Sequence, residues 1–99
     1  MPQGPLSAVV LSTAQKRALN ITANTVVKAA NGFVVTVSVI ATSSTAGSIH
    51  DAATVAAAAT ANQLAVIPAT VGVYTLNFPA SSGIVVKPGS GQTIAVSYT

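Results

Sequence analysis

A chain of 99 residues with four cations, one acid and one histidine has room for one domain and one core, and too few carboxylates for acid–base chemistry that works with a pair of them. It contains no cysteine, which excludes disulfides, cysteine-based zinc sites and thiol chemistry. Only 5% of the residues are charged while 51% are hydrophobic, against about 25% charged in an ordinary globular chain, so the exterior must be coated with Ser, Thr, Asn and Gln or partly covered by neighbours.

Residues 1–5 carry two prolines and a glycine and read as an extended arm. They lack the basic and apolar regions of a signal peptide, so a protein made and used without export is expected. Leu6 to Leu11 reads as a short apolar strand, which gives an N-terminal arm over 1–11 and a body over 12–99. Ser12 to Leu19 is ambiguous, with a single helical turn around Ala14 to Arg17 as one reading. Ile21 to Ala29, rich in Thr and Val, reads as strand. Asn31-Gly32 signals a turn.

The clearest strand is Phe33 to Ile40. Its period of two puts Phe33, Val35, Val37 and Val39 on one face and Thr36 and Ser38 on the other. Thr42 to Gly47 is a loop, and Ser48-Ile49-His50 is a short strand ending at Asp51. The alanine-rich stretch from Asp51 to Asn62 predicts a connecting excursion with one or two helical turns that Asp51 could cap. Its small side chains permit close packing, and it is too short to cross a bilayer.

Leu64 to Ile67 is strand, stopped by Pro68. Val71 to Phe78 alternates again, with Tyr74, Leu76 and Phe78 facing one way and Val73, Thr75 and Asn77 the other. Pro79 to Gly83 turns the chain. Ile84 to Val86 and Thr93 to Tyr98 flank Pro88-Gly89-Ser90-Gly91, which predicts a hairpin loop; Ile94, Val96 and Tyr98 should face the core, and Thr93, Ala95 and Ser97 the outside. The sum is an all-β, single-domain chain of about seven or eight short antiparallel strands, a β-sandwich of jelly-roll type or a small barrel. No fixed-period repeat supports a β-solenoid.

The chemistry-bearing residues are few. His50 and Asp51 can be joined on paper with a serine into a triad, but neighbours on a strand point to opposite faces. Structural roles are expected for both. Together they supply at most two metal ligands, short of a closed site within one chain, and only a site shared between subunits on a symmetry axis is left open. Gly83, Gly89 and Gly91 fit turns rather than a phosphate loop. The Asn20-Ile21-Thr22 sequon is incidental without a secretory signal. Tyr74 and Tyr98 are in register with apolar strand neighbours and read as core. Lys16 and Arg17 are adjacent, whereas Lys28 and Lys87 are isolated, and no basic stripe points to nucleic acid. No catalytic residue, metal or cofactor is expected.

Several phrases carry a resemblance: Gly47 to Asp51, the alanine-rich stretch, Ala65 to Thr70, Gly72-Val73-Tyr74, Phe78-Pro79, Gly83 to Val86 and Gly91 to Tyr98. In this order the chain, over about residues 20–99, resembles small β-rich structural proteins encoded among the virion genes of tailed bacteriophages, which include capsid decoration (cement) proteins and head-fibre modules. The resemblance implies a non-enzymatic virion protein on the capsid surface, present in the host cytoplasm during assembly. Its partners would be the major capsid protein and further copies of itself, commonly as a homotrimer, with no nucleic acid and no membrane. Leu6, Val9, Val10 and Leu11 of the arm are the candidate assembly contacts, pairing with a neighbour's edge strand or lying on the shell. Two alternatives stand beside this: a tail, neck or fibre module, and a carbohydrate-binding module that uses Tyr74, Tyr98 and Asn or Thr side chains.

Overall fold

The computed structural model describes residues 15–99. They form eight strands: β1 (Lys16–Ile21), β2 (Thr25–Lys28), β3 (Gly32–Ala41), β4 (Gly47–His50), β5 (Gln63–Ile67), β6 (Gly72–Ala80), β7 (Ile84–Lys87) and β8 (Thr93–Tyr98). The one helical element among the described residues is a 3-10 turn over Thr60–Asn62. The strands make two four-stranded antiparallel sheets. The front sheet has the order β1-β8-β3-β6 and the back sheet β2-β7-β4-β5.

The pairing is nested. β4 pairs with β5, β3 with β6, β2 with β7 and β1 with β8. The chain thus behaves as one long antiparallel ribbon, centred on the β4–β5 connection and wrapped into two layers, with β3–β8 and β4–β7 pairs stitching the turns together. This is jelly-roll connectivity. The alternative of a small closed barrel is not realised: the described strands form two separate four-stranded sheets.

The nesting corrects the expected hairpin. β7 and β8 lie in different sheets, so residues 88–92 carry the chain from back to front rather than joining adjacent strands. Asn31-Gly32 does the same between β2 and β3. A short linker reads alike in either role, because Gly and Pro report a change of direction and not the sheet that receives the next strand.

The core lies between the sheets. Ile21, Val34, Val37, Val39, Ile94 and Val96 enter from the front, and Ile49, Ile67, Ile84 and Val86 from the back. Each fully buried Val or Ile contributes about 1.5–3 kcal/mol of transfer free energy. Tyr74, Leu76 and Tyr98 pack half-buried against this cluster, as the alternation predicts.

In β3 the expected inward set is off by one residue at its start. Val34 joins the central cluster and Phe33 does not, while Val35 is buried outside that cluster. Val34 pairs with Tyr98 and Thr36 with Ser97, which leaves Val35 as an extra residue against β8. Such a bulge shifts every side chain before it to the other face. Across the same point β6 holds Asn77 at φ 50. Phe78 sits opposite Val34 and shares its inward face, yet it is 44% exposed because β6 is an edge.

Two further readings change. The ambiguous stretch before Asn20 is strand from Lys16 onward, held by its ladder with Tyr98, Ser97 and Val96. The single strand expected over 21–29 is divided by a bend at 22–24, with Ile21 closing β1 and Thr25 opening β2.

Candidate functional site

The alanine-rich segment forms no α-helix. It folds back over the outer side of the back sheet, where Ala52 and Ala58 pack on the fully buried Val85, with Val55 half-buried beside them. Only small side chains allow a loop backbone this close to a sheet. Ile49 points to the core, so Ser48 and His50 point outward into the space beneath the loop.

His50 is 4% exposed and fastens that loop. Its Nδ1 lies 2.8 Å from the Ala59 carbonyl and 3.2 Å from Asn62 Oδ1. Asn62 Oδ1 already accepts from the Ala59 amide at 2.8 Å, and Asn62 Nδ2 donates to the Ala57 carbonyl at 2.8 Å. Both neighbours of Nδ1 are therefore acceptors, and Nδ1 carries the hydrogen. In that tautomer Nε2 accepts from Ser48 Oγ at 2.8 Å. Lys87 Nζ adds a bond to the Ala58 carbonyl at 3.2 Å.

A serine hydrogen-bonded to a histidine that is itself oriented by a third group has the outline of an activated nucleophile. Here the outline is filled structurally. The groups behind His50 are a carbonyl and a carboxamide that belong to the covering loop, and the histidine's ring nitrogens are spent on holding it.

Asp51 turns away from His50. Its Oδ1 accepts from the Ser82 amide at 2.7 Å and the Gly83 amide at 3.3 Å, so it caps the β6–β7 turn rather than a helix. These donors, Ser82 first, hold its carboxyl below the ordinary range. The backbone around Gly83 is tight, since a Cβ there would lie 2.4 Å from the Ala52 carbonyl oxygen. Among the described residues no group of three or more His, Cys, Asp or Glu side chains comes together.

Among the described residues, no segment folds over the opposite side of the sandwich. The outer face of the front sheet carries a shallow groove of about 200 Å³ lined by Arg17, Leu19, Thr36, Ser38, Ala95, Val96 and Ser97. Ala95 and Ser97 of β8 form its floor, and β1 and β3 form its walls. The register sets out two rows across the sheet: Arg17, Ser97, Thr36 and Thr75, then Ala95, Ser38 and Val73, with Leu19, at the irregularity in β1, lining the groove beside the second row. Arg17 is the only ionic side chain in these rows. Leu19 is 59% and Val73 69% exposed. This near-neutral face was only half legible in the sequence: the alternation assigns Thr36, Ser38, Ala95 and Ser97 outward, but does not bring Leu19 beside them.

Tyr74 donates through its hydroxyl to the Thr70 carbonyl at 2.9 Å, and its ring packs on the core. The candidate contacts Leu6, Val9, Val10 and Leu11 lie outside the described residues. The chain matches no protein-family model, no curated protein sequence and no solved structure.

Proposed function

We propose that this chain is a non-enzymatic structural subunit of a virion, a capsid decoration protein that binds the major capsid protein and braces the shell. The observation that carries the reading is the contrast between its two outer faces. One is closed by the protein's own 51–62 loop, and the other is, among the described residues, an uncovered sheet of Leu, Val, Ala, Ser and Thr with a single cation. A face with so little ionic character loses little on desolvation and suits a dry contact between subunits.

The resemblance to phage virion proteins supplies the particular assembly and the expected trimer, and the jelly-roll connectivity is compatible with it, although fold alone does not fix function. A tail, neck or fibre position is the second reading. The carbohydrate-binding reading is weaker, because the Tyr74 hydroxyl is already engaged and both tyrosines lie against the core.

The test is binding of the purified chain to empty heads assembled from the cognate major capsid protein. Saturable binding with many copies over the shell is expected, reduced on deletion of residues 1–11. No binding to heads, with labelling of tails or vertices instead, would move the protein to the second reading.

A further inference from the structure

The open front face is also complementary to itself, an inference that rests on reading the protein as an assembly subunit. We propose that two copies pair front sheet to front sheet about a two-fold axis that lies between the sheets and runs along the strands. The order β1-β8-β3-β6 places β1 and β6 at the edges and β8 and β3 at the centre. The axis therefore sets β1 of one copy over β6 of the other, and β8 over β3, each contact occurring twice.

The register determines which side chains meet. Leu19, on β1, falls over Val73, on β6, and these are the two most exposed apolar side chains in and beside the rows, at 59% and 69%. Ala95 falls over Ser38, small against small, which lets the sheets approach to the usual spacing of about 10 Å. Arg17 falls over Thr75, whose hydroxyl oxygen can accept from the guanidinium. An axis across the strands would instead stack β1 on β1 and bring the two Arg17 side chains along the same edge.

The size fits a weak contact. β1 and β8 have six residues each, so four strands at about 4.8 Å spacing and six residues at about 3.4 Å give about 400 Å² per copy. The total of about 800 Å² is below the roughly 1,000 Å² of a specific interface that stands alone, as expected of a contact that other contacts in an assembly reinforce.

Sedimentation of the full chain, taken to millimolar concentration, tests the pairing. An even-numbered oligomer is expected: a dimer if this contact acts alone, a hexamer if a three-fold contact forms as well. A monomer or a bare trimer overturns the proposal. Leu19→Lys and Val73→Glu, both at exposed positions, should each weaken pairing by about tenfold or more by placing an uncompensated charge against an apolar side chain. Mixed together, the two variants should recover most of it. The introduced ammonium and carboxylate then face each other at one contact, while native Leu19 and Val73 meet at the other. Undiminished pairing of either variant, or no recovery in the mixture, overturns the proposed geometry. Heads that bind the chain without any pairing would overturn the pairing alone; pairing without head binding would overturn the capsid reading alone.

Discussion

His50 Nδ1 on β4 lies 2.8 Å from the carbonyl oxygen of Ala59, nine residues further along the chain. That bond joins the outer side of the back sheet to the loop that covers it, and Ser48 and Asn62 complete the clasp. His50→Ala would leave the Ala59 carbonyl and the Ser48 hydroxyl without their partner. A loss of about 2–4 kcal/mol is expected in urea unfolding. Amide exchange should rise in 57–62 and stay slow in β3 and β8, which meet none of these groups. Equal loosening of the front sheet would show that the clasp is not local.

Asp51 is the chain's single acidic side chain, which makes its linkage simple to measure. Its carboxyl is held below the ordinary range by the Ser82 and Gly83 amides. A folded pKa below the unfolded value of about 3.9 gives stability that is present above pH 4 and lost as the pH falls through the folded value. The melting temperature should therefore drop as the pH is taken below about 4. Asp51→Asn should melt lower than wild type at pH 5, and the difference between the two should shrink as the solution is acidified. A difference independent of pH would exclude the capping role.

Gln92 is fully buried and joins two loops at the other end of the sandwich. Its Oε1 accepts from the Gly89 amide at 2.9 Å, and its Nε2 donates to the Pro68 carbonyl at 2.8 Å. Gln92→Ala leaves the buried Gly89 amide without a partner and removes a bond to the Pro68 carbonyl, with an expected cost of about 1–3 kcal/mol. Chemical denaturation with an unchanged m-value would confirm a folded-state effect.

Gly89 and Gly91 sit two residues apart and should respond differently to alanine. A Cβ at Gly89 would lie 1.9 Å from the Thr45 carbonyl oxygen, so backbone must move; about 2–4 kcal/mol is expected. Gly91 has open space around it but holds φ +79, which costs an L-residue about 1–2 kcal/mol. Thermal melts of the two variants should fall in that order. The reverse order would mean that backbone conformation, rather than the close approach of 42–46, sets the cost at this end.

The strands were legible where β-branched residues alternate with hydroxyls. Thr93–Tyr98 and the outward set Ala95 and Ser97 follow from period two alone. Alternation failed at Val34, because a bulge is a property of two strands and only one is visible in a linear reading. The half-buried Asn62 and the buried Gln92 carried no sequence signal, since a carboxamide in a Ser/Thr/Ala-rich loop looks like surface until its partners are in place.

By itself the sequence determined the class of fold and the scarcity of titratable groups: branched aliphatics at period two make strands, and the chain carries one acid and one histidine. The tertiary structure decided which sheet each strand joins, that His50 and Asp51 serve two separate backbone segments, and that the 51–62 loop covers the outer face of the back sheet. Those outcomes depend on contacts between residues distant in the chain, and local preference does not encode which distant segment will supply the partner.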